Sequence, residues 1–386
     1  MRNRVKIIKG DIFQSRAQTL VNTVNCVGIM GKGLALEFKS RFPGMYKDYV
    51  RRCKKGQVRL GEPYLFSQFE PPNILNFPTK GHWRSVSRFD DIIQGLRYLH
   101  MHYKDWGITS IAVPSLGCQL GQLDWRVVLS LLYEHLSRLE IPAELYIPSS
   151  ATIDQALFVL GLANAPVSIS DLGPVPPMHP EKLSSAWVAL VAILEMIERE
   201  QYHYPVGRIR FQKLAYFATA QGIPTGLNYR RSSFGPFAEE LKGNVLTRLI
   251  NSGLIREEQV GRMFVLRTGA AYRDILSKVQ EDLKKWRPAI EKVADLLLRT
   301  STIQSEIAAT VHFAAGDLKE LKDATPTERE VLDAVMKWKQ RRKPPLDEKD
   351  AAVAIRNLAA IGWIEVLPSC DLPLQSDPVY EAMMCE

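Results

Sequence analysis

The chain has 386 residues, of which 46% are hydrophobic and 24% are charged. This composition is ordinary for a globular protein, and the length favours two domains over one. No apolar run approaches the roughly 18 to 20 residues that a membrane-spanning helix needs, and the N-terminal stretch MRNRVKIIKGDIF lacks the continuous apolar segment of a signal peptide. We therefore expect a cytoplasmic protein with no membrane partner.

The net charge of +8 is unevenly distributed. Residues 1–170 hold 21 Lys and Arg against 13 Asp and Glu, whereas residues 171–386 hold 29 of each. A basic surface raises the local concentration of anionic ligands such as nucleic acid or phosphate esters. The alternative, that the charge serves solubility alone, stays open at this point.

The five cysteines give no sign of a metal centre. They form no C-x-x-C pair and no zinc-ligand spacing, and they are Cys26, Cys53, Cys118, Cys370 and Cys385. We predict reduced structural thiols, no bound metal and no cofactor.

The first 160 residues alternate short β-rich runs with amphipathic helical patterns. In chain order these runs are VKIIKG, TLVNTVN, GKGLALEFKSRF, PYLFSQ, NILNFP, RFDDIIQGLRYLHMHYKDWG, SIAVPS, DWRVVLSLLYEHLSRL and ELYIP. This order is typical of a layered α/β fold with helices on both faces of a sheet. Ligands of such folds bind beyond the carboxyl ends of the strands.

A proline-rich stretch separates this region from the rest. Residues 163–180 carry five prolines and little apolar periodicity, so we predict a linker over residues 161–182 between domains at 1–160 and 183–386. The second domain is predicted to be mostly helical. Its periodic segments are 184–201, 208–221, 236–251, 271–299, 302–315, 325–342 and 347–361.

Two strand-like pairs interrupt these helices, LIREEQVGRMFVLRTG and IGWIEVLP. A helix followed by a hairpin is typical of winged helices, although the same arrangement is equally common without nucleic acid. Thr325 and Pro326, followed by Glu328, predict a helix N-cap with proline at the first helical position.

The segment NTVNCVGIMGKGLALEF contains a glycine-rich loop between a predicted strand and a predicted helix that starts at Leu34. The strand end would present Asn22 or Asn25 to a crevice, where an amide can bind a ribose hydroxyl. The glycines allow a ligand to approach the backbone, and the amides at the helix N-terminus favour an anion such as phosphate. A simple strand-to-helix turn gives the same pattern.

A second segment, IAVPSLGCQLGQLDW, repeats the order of strand, glycine-rich turn and helix. Two such loops at neighbouring strand ends would hold a diphosphate from both sides. Neither loop contains the G-K-[ST] of a P-loop or the G-x-G-x-x-G of a Rossmann fold.

Lys80, in NILNFPTKGHWRS, follows a predicted strand and is the main chemical candidate. If its amine faces the same crevice as the two loops, it is a candidate nucleophile; otherwise it is surface charge. The nearby His82 is an acid/base candidate or a surface imidazole.

These residues resemble a known family. GDIF and the two glycine loops resemble the adenine-contacting and phosphate loops of macrodomains, which bind ADP-ribose. The chain resembles more closely the DarG family of antitoxins, because FQKLAYFATAQGIP and NYRRSSFGPFAEEL resemble the toxin-neutralising region of that family. The resemblance covers nearly the whole chain and implies an N-terminal three-layer α/β/α macrodomain with a mixed sheet, followed by a toxin-neutralising α+β domain.

The resemblance also assigns roles to residues. Lys80 would be catalytic at the distal ribose, and Asp11, with Ile12 beside it, would bind the adenine amino group. The distal ribose and diphosphate would be contacted by Asn22, Asn25, Gly31, Lys32, Gly33, Ser115, Leu116, Gly117, Cys118, Gln119, Leu120 and Gly121. Related glycohydrolases carry an aspartate where this chain has Gly121, and we expect Asp124 to cap the helix that begins at Trp125. A route through Lys80 without an aspartate partner is therefore favoured.

The activity implied by the resemblance is removal of ADP-ribose from thymine bases of single-stranded DNA by N-glycosidic hydrolysis, together with inhibition of a cognate DarT-like toxin. The alternatives are a reader that binds ADP-ribose without turnover and a DNA-binding regulator, although the neutral C-terminal half argues against the latter. One interpretation is that an acidic face contacts the toxin, with candidates Glu239, Glu240, Glu257 and Glu258. The alternative is that these glutamates lie on ordinary solvated faces of helices or hairpins.

Overall fold

The computed structural model describes residues 4–162, 183–261 and 263–374. The chain divides into two compact units, Met1–Glu181 and Lys182–Glu386. The predicted linker at 161–182 lies almost entirely outside the described residues, so the domain boundaries stay predictions.

The N-terminal unit is built around a six-stranded sheet. Its strands are β1 (Val5–Ile8), β2 (Thr19–Asn25), β3 (Tyr64–Phe66), β4 (Asn73–Lys80), β5 (Ile111–Val113) and β6 (Ala143–Tyr146), in the order β1-β6-β5-β2-β4-β3. All neighbours are parallel except β3, which is antiparallel to β4 at one edge. This confirms the mixed sheet.

Helices cover both faces of this sheet. They are α1 (Gly33–Arg41), α2 (Pro43–Lys54), α3 (Phe89–His102), α4 (Trp125–Ser137) and α5 (Ile153–Val159). Successive residues of β2 point into different cores: Leu20 packs in the cluster with residues of α1 and α2, and Val21 in the cluster with residues of α3 and α4. A strand buried on both faces is the arrangement expected of parallel sheets, and it confirms the three layers.

Sequence periodicity did not predict α2 or α5. Helix α2 starts with Pro43 in its first turn, where the missing amide proton is harmless. It buries Met45 and Tyr49, four residues apart on one face.

The C-terminal unit is mostly helical, as predicted. Its helices are α6 (Ser185–Arg199), α7 (Arg208–Ala220), α8 (Leu246–Asn251), α9 (Tyr272–Lys278), α10 (Gln280–Leu298), α11 (Thr302–Lys322), α12 (Glu328–Lys339) and α13 (Glu348–Ala360). Two hairpins join them, one of β7 (Arg230–Ser232) and β8 (Gly235–Phe237), the other of β9 (Ile255–Val260) and β10 (Met263–Thr268). The second hairpin confirms the strand pair predicted in LIREEQVGRMFVLRTG.

Other local predictions in this unit were wrong. The segment IGWIEVLP is no hairpin: it forms a turn at Gly362 and one isolated bridge between Leu367 and Thr327. The helix predicted from residue 236 starts later, because Pro236 belongs to β8 and a π-helical turn at Leu241–Val245 precedes α8.

Two helix boundaries also differ. The predicted helix over 271–299 is divided at Val279, between α9 and α10. Helix α12 is capped by Thr327 rather than Thr325: the Thr327 hydroxyl accepts from the Glu330 amide, and the Glu330 side chain accepts from the Thr327 amide. This reciprocal pair satisfies two amides that the predicted cap would leave open.

Within the described ranges, no helix is long and apolar enough to cross a bilayer, and no group of three His, Cys, Asp or Glu side chains is arranged to hold a metal.

Candidate functional site

The predicted site residues lie at one edge of the N-terminal sheet. Because β1, β2, β4 and β5 are parallel, their carboxyl ends meet at the same edge. Asp11 follows β1, Asn25 ends β2, Lys80 ends β4 and Ser115 follows β5. The topology therefore brings together residues that are more than 100 positions apart in sequence.

Asn25 holds the first glycine loop in shape. Its Nδ2 donates to the Ile29 carbonyl at 2.6 Å, and its Oδ1 accepts from the Val27 amide at 3.0 Å. The hydroxyl of Tyr49 lies 2.8 Å from the Asn25 carbonyl oxygen and 3.0 Å from its Oδ1. With only 8% of its surface exposed, Asn25 organises the loop. Its contact with a ribose stays a prediction.

Asn22 lies deeper, three residues before the end of β2. It is fully buried, and its Nδ2 donates to Oδ1 of Asn76 on the adjacent strand at 3.0 Å. Its side chain lies inside the sheet, and its contact with the distal ribose stays a prediction.

Gly31, Lys32 and Gly33 form the exposed turn that leads into α1. Gly33 has φ +57°, a conformation that L-residues rarely adopt, and Lys32 occupies the N-cap position without a capping hydrogen bond from its side chain. The first amides of α1 therefore have no side-chain cap and point their partial positive charge at the loop. This is the local arrangement that binds anions.

The second glycine loop is tightly closed on itself. A Cβ added at Gly121 would lie less than 3.0 Å from the Gly117 carbonyl oxygen and from Oγ of Ser87. Gly117 has φ +70°, and its carbonyl accepts from the Leu123 amide at 3.1 Å. Because Gly117 and Gly121 have no side chains, the backbone of this loop can pack closely against itself and against Ser87.

The other members of this loop divide into inner and outer residues. Leu116 and Cys118 are buried, and the Ser115 hydroxyl donates to the Tyr146 carbonyl at 2.9 Å. Gln119 and Leu120 are exposed, with 59% of Leu120 accessible. The outer pair therefore offers the most exposed side chains of this loop to a ligand.

The two loops and Lys80 come together. A Cβ built on Gly33 would lie 3.9 Å from Cδ1 of Leu120, so the loops face each other within contact distance. The Lys80 amine donates a hydrogen bond to the Leu120 carbonyl, and Lys80 is only 9% exposed. The register of β2 against β4 shifts by one residue between Val24 and Asn25, and such irregularities re-aim side chains at strand ends.

Asp124 is the N-cap of α4, as predicted. Its carboxylate accepts from the Arg126 amide at 2.9 Å and forms an ion pair with the Arg126 guanidinium at 2.6 Å. Burial alone would raise the pKa of Asp124, but the hydrogen bonds from Arg126 outweigh it and the pKa is lowered. A carboxylate so engaged is ill suited to act as a general acid.

At the other end of the site, Asp11 is exposed and its carboxylate accepts from the Phe13 amide at 3.0 Å. Ile12 is buried in the core and Phe13 is partly buried, with the Arg41 guanidinium 4.2 Å from the Phe13 ring. The assignment of Asp11 and Ile12 to adenine stays a prediction.

The loop after Lys80 carries two aromatic rings. His82 and Trp83 have ring centroids 5.4 Å apart, and the Arg84 guanidinium lies 4.6 Å from the Trp83 ring. Burial and the charge of Arg84 lower the pKa of His82. Sequence reasoning missed Trp83, as well as Tyr49 and Ser87. The clue to Tyr49 was its spacing of four from Met45, whereas nothing local pointed to Ser87.

The part of the chain that carries this site matches a known protein family. Residues 21–132 match the model of the macro domain family, and they span both glycine loops and Lys80. The N-terminal part of the chain is a macro domain. Its sheet order, its two loops and the strand end that carries Lys80 are therefore parts of one known fold.

Curated relatives match parts of this chain. The chain is 34% identical over 248 residues to a DNA ADP-ribosyl glycohydrolase of Thermus aquaticus, which is 64% of this chain and 64% of that relative. It is 41% identical over 162 residues to a DNA ADP-ribosyl transferase–DNA ADP-ribosyl glycohydrolase fusion protein of Thermosipho africanus, which is 37% of this chain and 42% of the relative. The chain thus spans less than two thirds of the length of these proteins.

Among solved structures, the macrodomain of Mycobacterium tuberculosis DarG is 42% identical and is covered to 98%, over 38% of this chain, with a TM-score of 0.37.

Proposed function

We propose that this protein removes ADP-ribose from thymine bases of single-stranded DNA, with its macro domain as the active unit. The observation that carries the proposal is the contact of the Lys80 amine with the Leu120 carbonyl. The side chain of Leu120 in turn faces Gly33 of the first glycine loop. One amine and two turns that we propose to bind the diphosphate thus lie within contact distance of each other. The curated relatives that are named DNA ADP-ribosyl glycohydrolases support the choice of reaction.

Main-chain groups of the two loops hold the diphosphate in this proposal. The turn at Gly31–Gly33 offers the amides that start α1, and the turn at Ser115–Gly121 closes from the opposite side. Exposed Gln119 and Leu120 contact the ligand from that side. Fixing both phosphates orients the distal ribose, and such orientation can supply about 7 kcal/mol or more of barrier lowering.

The reaction breaks the bond between the anomeric carbon of the distal ribose and the base, through an oxocarbenium-like transition state. In one route, the neutral Lys80 amine bonds to the anomeric carbon as the base leaves with the bonding electrons and takes up a proton. Water then displaces the amine and releases ADP-ribose. In the other route, the charged amine stabilises the departing base while water attacks directly.

The strand around the modified base is engaged by the basic surplus of the first 170 residues. Contacts to phosphates supply affinity without sequence preference, and their strength falls with salt. The base itself is splayed from its neighbours so that the crevice can admit the sugar.

The test compares the wild-type protein with Lys80→Ala on a single-stranded oligonucleotide that carries ADP-ribosylated thymine. Released ADP-ribose is measured by chromatography. We expect a loss of at least 100-fold in Lys80→Ala and none in Lys104→Ala, since Lys104 is an exposed lysine after α3, paired with Glu140 at 2.8 Å, on the opposite edge of the sheet. Equal activity of wild type and Lys80→Ala would refute the proposal.

Borohydride separates the two routes. If the amine bonds to the sugar, the glycosylamine opens its ribose ring to an imine, and hydride reduction of that imine during turnover traps a peptide that contains Lys80 with the added mass of the ligand. If Lys80 acts through its charge alone, the protein mass is unchanged.

A reader that binds ADP-ribose without turnover is the second candidate. The observation in its favour is the missing acid: Gly121 has no room for a side chain, and Asp124 is bound to Arg126. Calorimetric binding of ADP-ribose with no release of label from modified DNA would establish it.

For the C-terminal unit we propose direct inhibition of a cognate DarT-like toxin. Its two motif segments pack on each other, since Nε2 of Gln212 donates to the Ala238 carbonyl at 2.8 Å and Nζ of Lys213 donates to the Pro236 carbonyl at 2.7 Å. Of the four expected acidic contacts, Glu257 is paired with Arg208 at 2.6 Å and Glu258 with Arg267 at 3.6 Å. Glu239 and Glu240 are exposed and form no ion pair among the described residues, so they are the better candidates, and Glu240 lies outside the lining of the cavity that includes Glu239.

The inactive variant Lys80→Ala separates inhibition from repair. Mixed with the toxin and an unmodified oligonucleotide, it should still suppress ADP-ribosylation at a one-to-one ratio, and Glu240→Lys should weaken that suppression. Full toxin activity in the presence of Lys80→Ala would eliminate direct inhibition.

A further inference from the structure

The C-terminal unit contains a cavity of about 560 Å³ between the β7–β8 hairpin and the end of α12. Five cations and one carboxylate, that of Glu239, line it; the cations are Arg230, Arg231, Lys339, Arg341 and Arg342. We call this cavity the basic cleft. It stands out because the C-terminal half of the chain has no net charge.

Buried hydrogen bonds fix one wall of the basic cleft. The Lys339 side chain is only 2% exposed, and its Nζ donates to the Ser233 carbonyl at 2.9 Å and to Oε1 of Glu306 at 3.1 Å. The indole Nε1 of Trp338 donates to the Ser232 carbonyl at 3.1 Å. The hairpin turn is therefore tied to α12 by two successive side chains.

The opposite side of the hairpin is fixed as well. Lys213 of α7 holds its second strand through the Pro236 carbonyl, and Gln212 holds the residue after that strand through the Ala238 carbonyl. Gly235, with φ +84°, lets the turn pass close to Thr310, since a Cβ there would lie 2.8 Å from the threonine hydroxyl. A site held on both sides binds its ligand without first having to be ordered.

The charge of the basic cleft is only partly neutralised. Arg231 pairs with Asp317 at 2.7 Å, and Arg342 shares Glu306 with Lys339 at 3.0 Å. Within the described ranges, the exposed side chains of Arg230 and Arg341 form no ion pair, and Glu239 is the one carboxylate in the cavity lining without an ion-pair partner. The guanidinium groups of Arg230 and Arg341 are therefore available to bind an anionic ligand.

Aromatic rings accompany these cations. Phe237 and Trp338 line the same cavity, and the Arg231 guanidinium lies 5.2 Å from the Trp338 ring. Arginine forks match phosphate oxygens, and aromatic faces stack on bases; this combination is typical of grooves that bind single-stranded nucleic acid. An acidic protein segment would complement the positive charge but would carry no bases to stack on the aromatic rings.

We propose that the basic cleft binds the phosphates of single-stranded nucleic acid. The ligand class is a phosphodiester chain with at least one unpaired base, and Arg230 and Arg341 are its direct contacts. This site is independent of ADP-ribose and goes beyond the function proposed for the macro domain.

Fluorescence anisotropy of the full-length chain with a labelled, unmodified oligothymidylate tests the proposal. The variant is Arg230→Glu with Arg341→Glu, and the matched control is Arg273→Glu with Lys278→Glu, which makes the same charge change at exposed positions of α9 in the same unit. We expect at least a tenfold weaker affinity in the cleft variant and a slope of log K against log salt reduced by about 1.4, as two lost phosphate contacts imply. The control should bind like wild type.

Competition identifies the source of the anion. A polyglutamate peptide or inorganic phosphate should displace the oligonucleotide only at far higher concentration than an unlabelled oligonucleotide does. Equal losses in the cleft and control variants, or no loss in either, would overturn the proposal. So would a cleft variant that binds DNA normally but no longer binds the toxin, because the cleft would then serve the protein partner. A denaturant-unfolding curve like that of the wild type shows that the cleft variant is folded, and retained release of ADP-ribose from modified DNA keeps this outcome distinct from failure of the macro domain proposal.

Discussion

The two candidate sites of this protein are formed by different chemical groups. In the macro domain, main-chain turns at Gly33 and Gly121 form most of the candidate site, and Lys80 is its buried charge; in the basic cleft, side-chain cations form the site and a buried glutamate pairs with two of them. A site made of backbone tolerates changes of charge but no added volume. A site made of buried charges tolerates little change of charge.

The largest effect is expected from Glu306→Gln. Glu306 is 7% exposed at its side chain and pairs with both Lys339 and Arg342, so the variant leaves two cations largely buried without a carboxylate. Breaking a buried pair from one side costs about 3 to 5 kcal/mol of unfolding free energy, measurable by urea denaturation. Glu140→Gln, which breaks an exposed pair with Lys104, is the control and should change nothing measurable. A stable Glu306→Gln protein with an intact cleft would show that the charges do not hold it.

The corresponding change in the macro domain is Gly121→Ala. The added methyl group collides with the Gly117 carbonyl, and overpacking of this kind costs about 1 to 3 kcal/mol. We expect ADP-ribose affinity, measured by calorimetry, to fall at least tenfold.

Gly107→Ala is the control for that variant. Gly107 has φ +65° but open space around it, so the substitution costs about 1 kcal/mol through backbone strain alone and should leave ligand affinity unchanged. If both variants lose ADP-ribose equally, general destabilisation explains the result and the loop is not the phosphate site.

The same contrast explains what the sequence could predict. The glycine loops were found because each is local: a strand, a turn and a helix follow within about 20 residues. The cap at Asp124 was found for the same reason. The contact of Lys80 with Leu120 joins residues 40 positions apart and follows only from the order of strands.

The basic cleft was hidden for a related reason. Net charge over residues 171–386 is zero, and this average conceals a local excess that forms only when the hairpin meets α12, about 106 residues along the chain. The hairpin was missed because its strands have three residues each and contain Pro236. Such strands show no period-2 pattern, and the tertiary contacts of Gln212 and Lys213 supply what propensity does not.

Lys213 gives a smaller, pH-dependent test of the cleft's support. Burial, with a further contribution from the charge of Lys339, lowers the pKa of Lys213 to about 7. The unfolded chain, with its ordinary lysine pKa, binds more protons than the folded chain above pH 7, so the folded protein gains stability as pH rises from 7 towards 10. Relative to Lys213→Met, the wild-type unfolding free energy should rise by up to about 1.4 kcal/mol per pH unit in this window.

Denaturant unfolding at pH 7, 8 and 9 measures this difference, with Lys278→Met as the control at an exposed lysine of the same unit. Parallel pH profiles for wild type and Lys213→Met would mean that the buried amine keeps its proton, and the hairpin would then be held by a full charge.

The smallest effect is expected at Asp124, and it decides whether the macro domain uses a second acid. Asp124→Ala removes the N-cap of α4 and should cost about 1 kcal/mol, whereas Asp124→Asn retains an oxygen for the Arg126 amide and should cost less. If Asp124 is only a cap, Asp124→Asn releases ADP-ribose from modified DNA at nearly the wild-type rate. A loss of 100-fold in Asp124→Asn, with stability preserved, would instead make the carboxylate a partner of Lys80. The candidate site of the macro domain would then depend on two charged side chains, and it would resemble the basic cleft more closely in this respect.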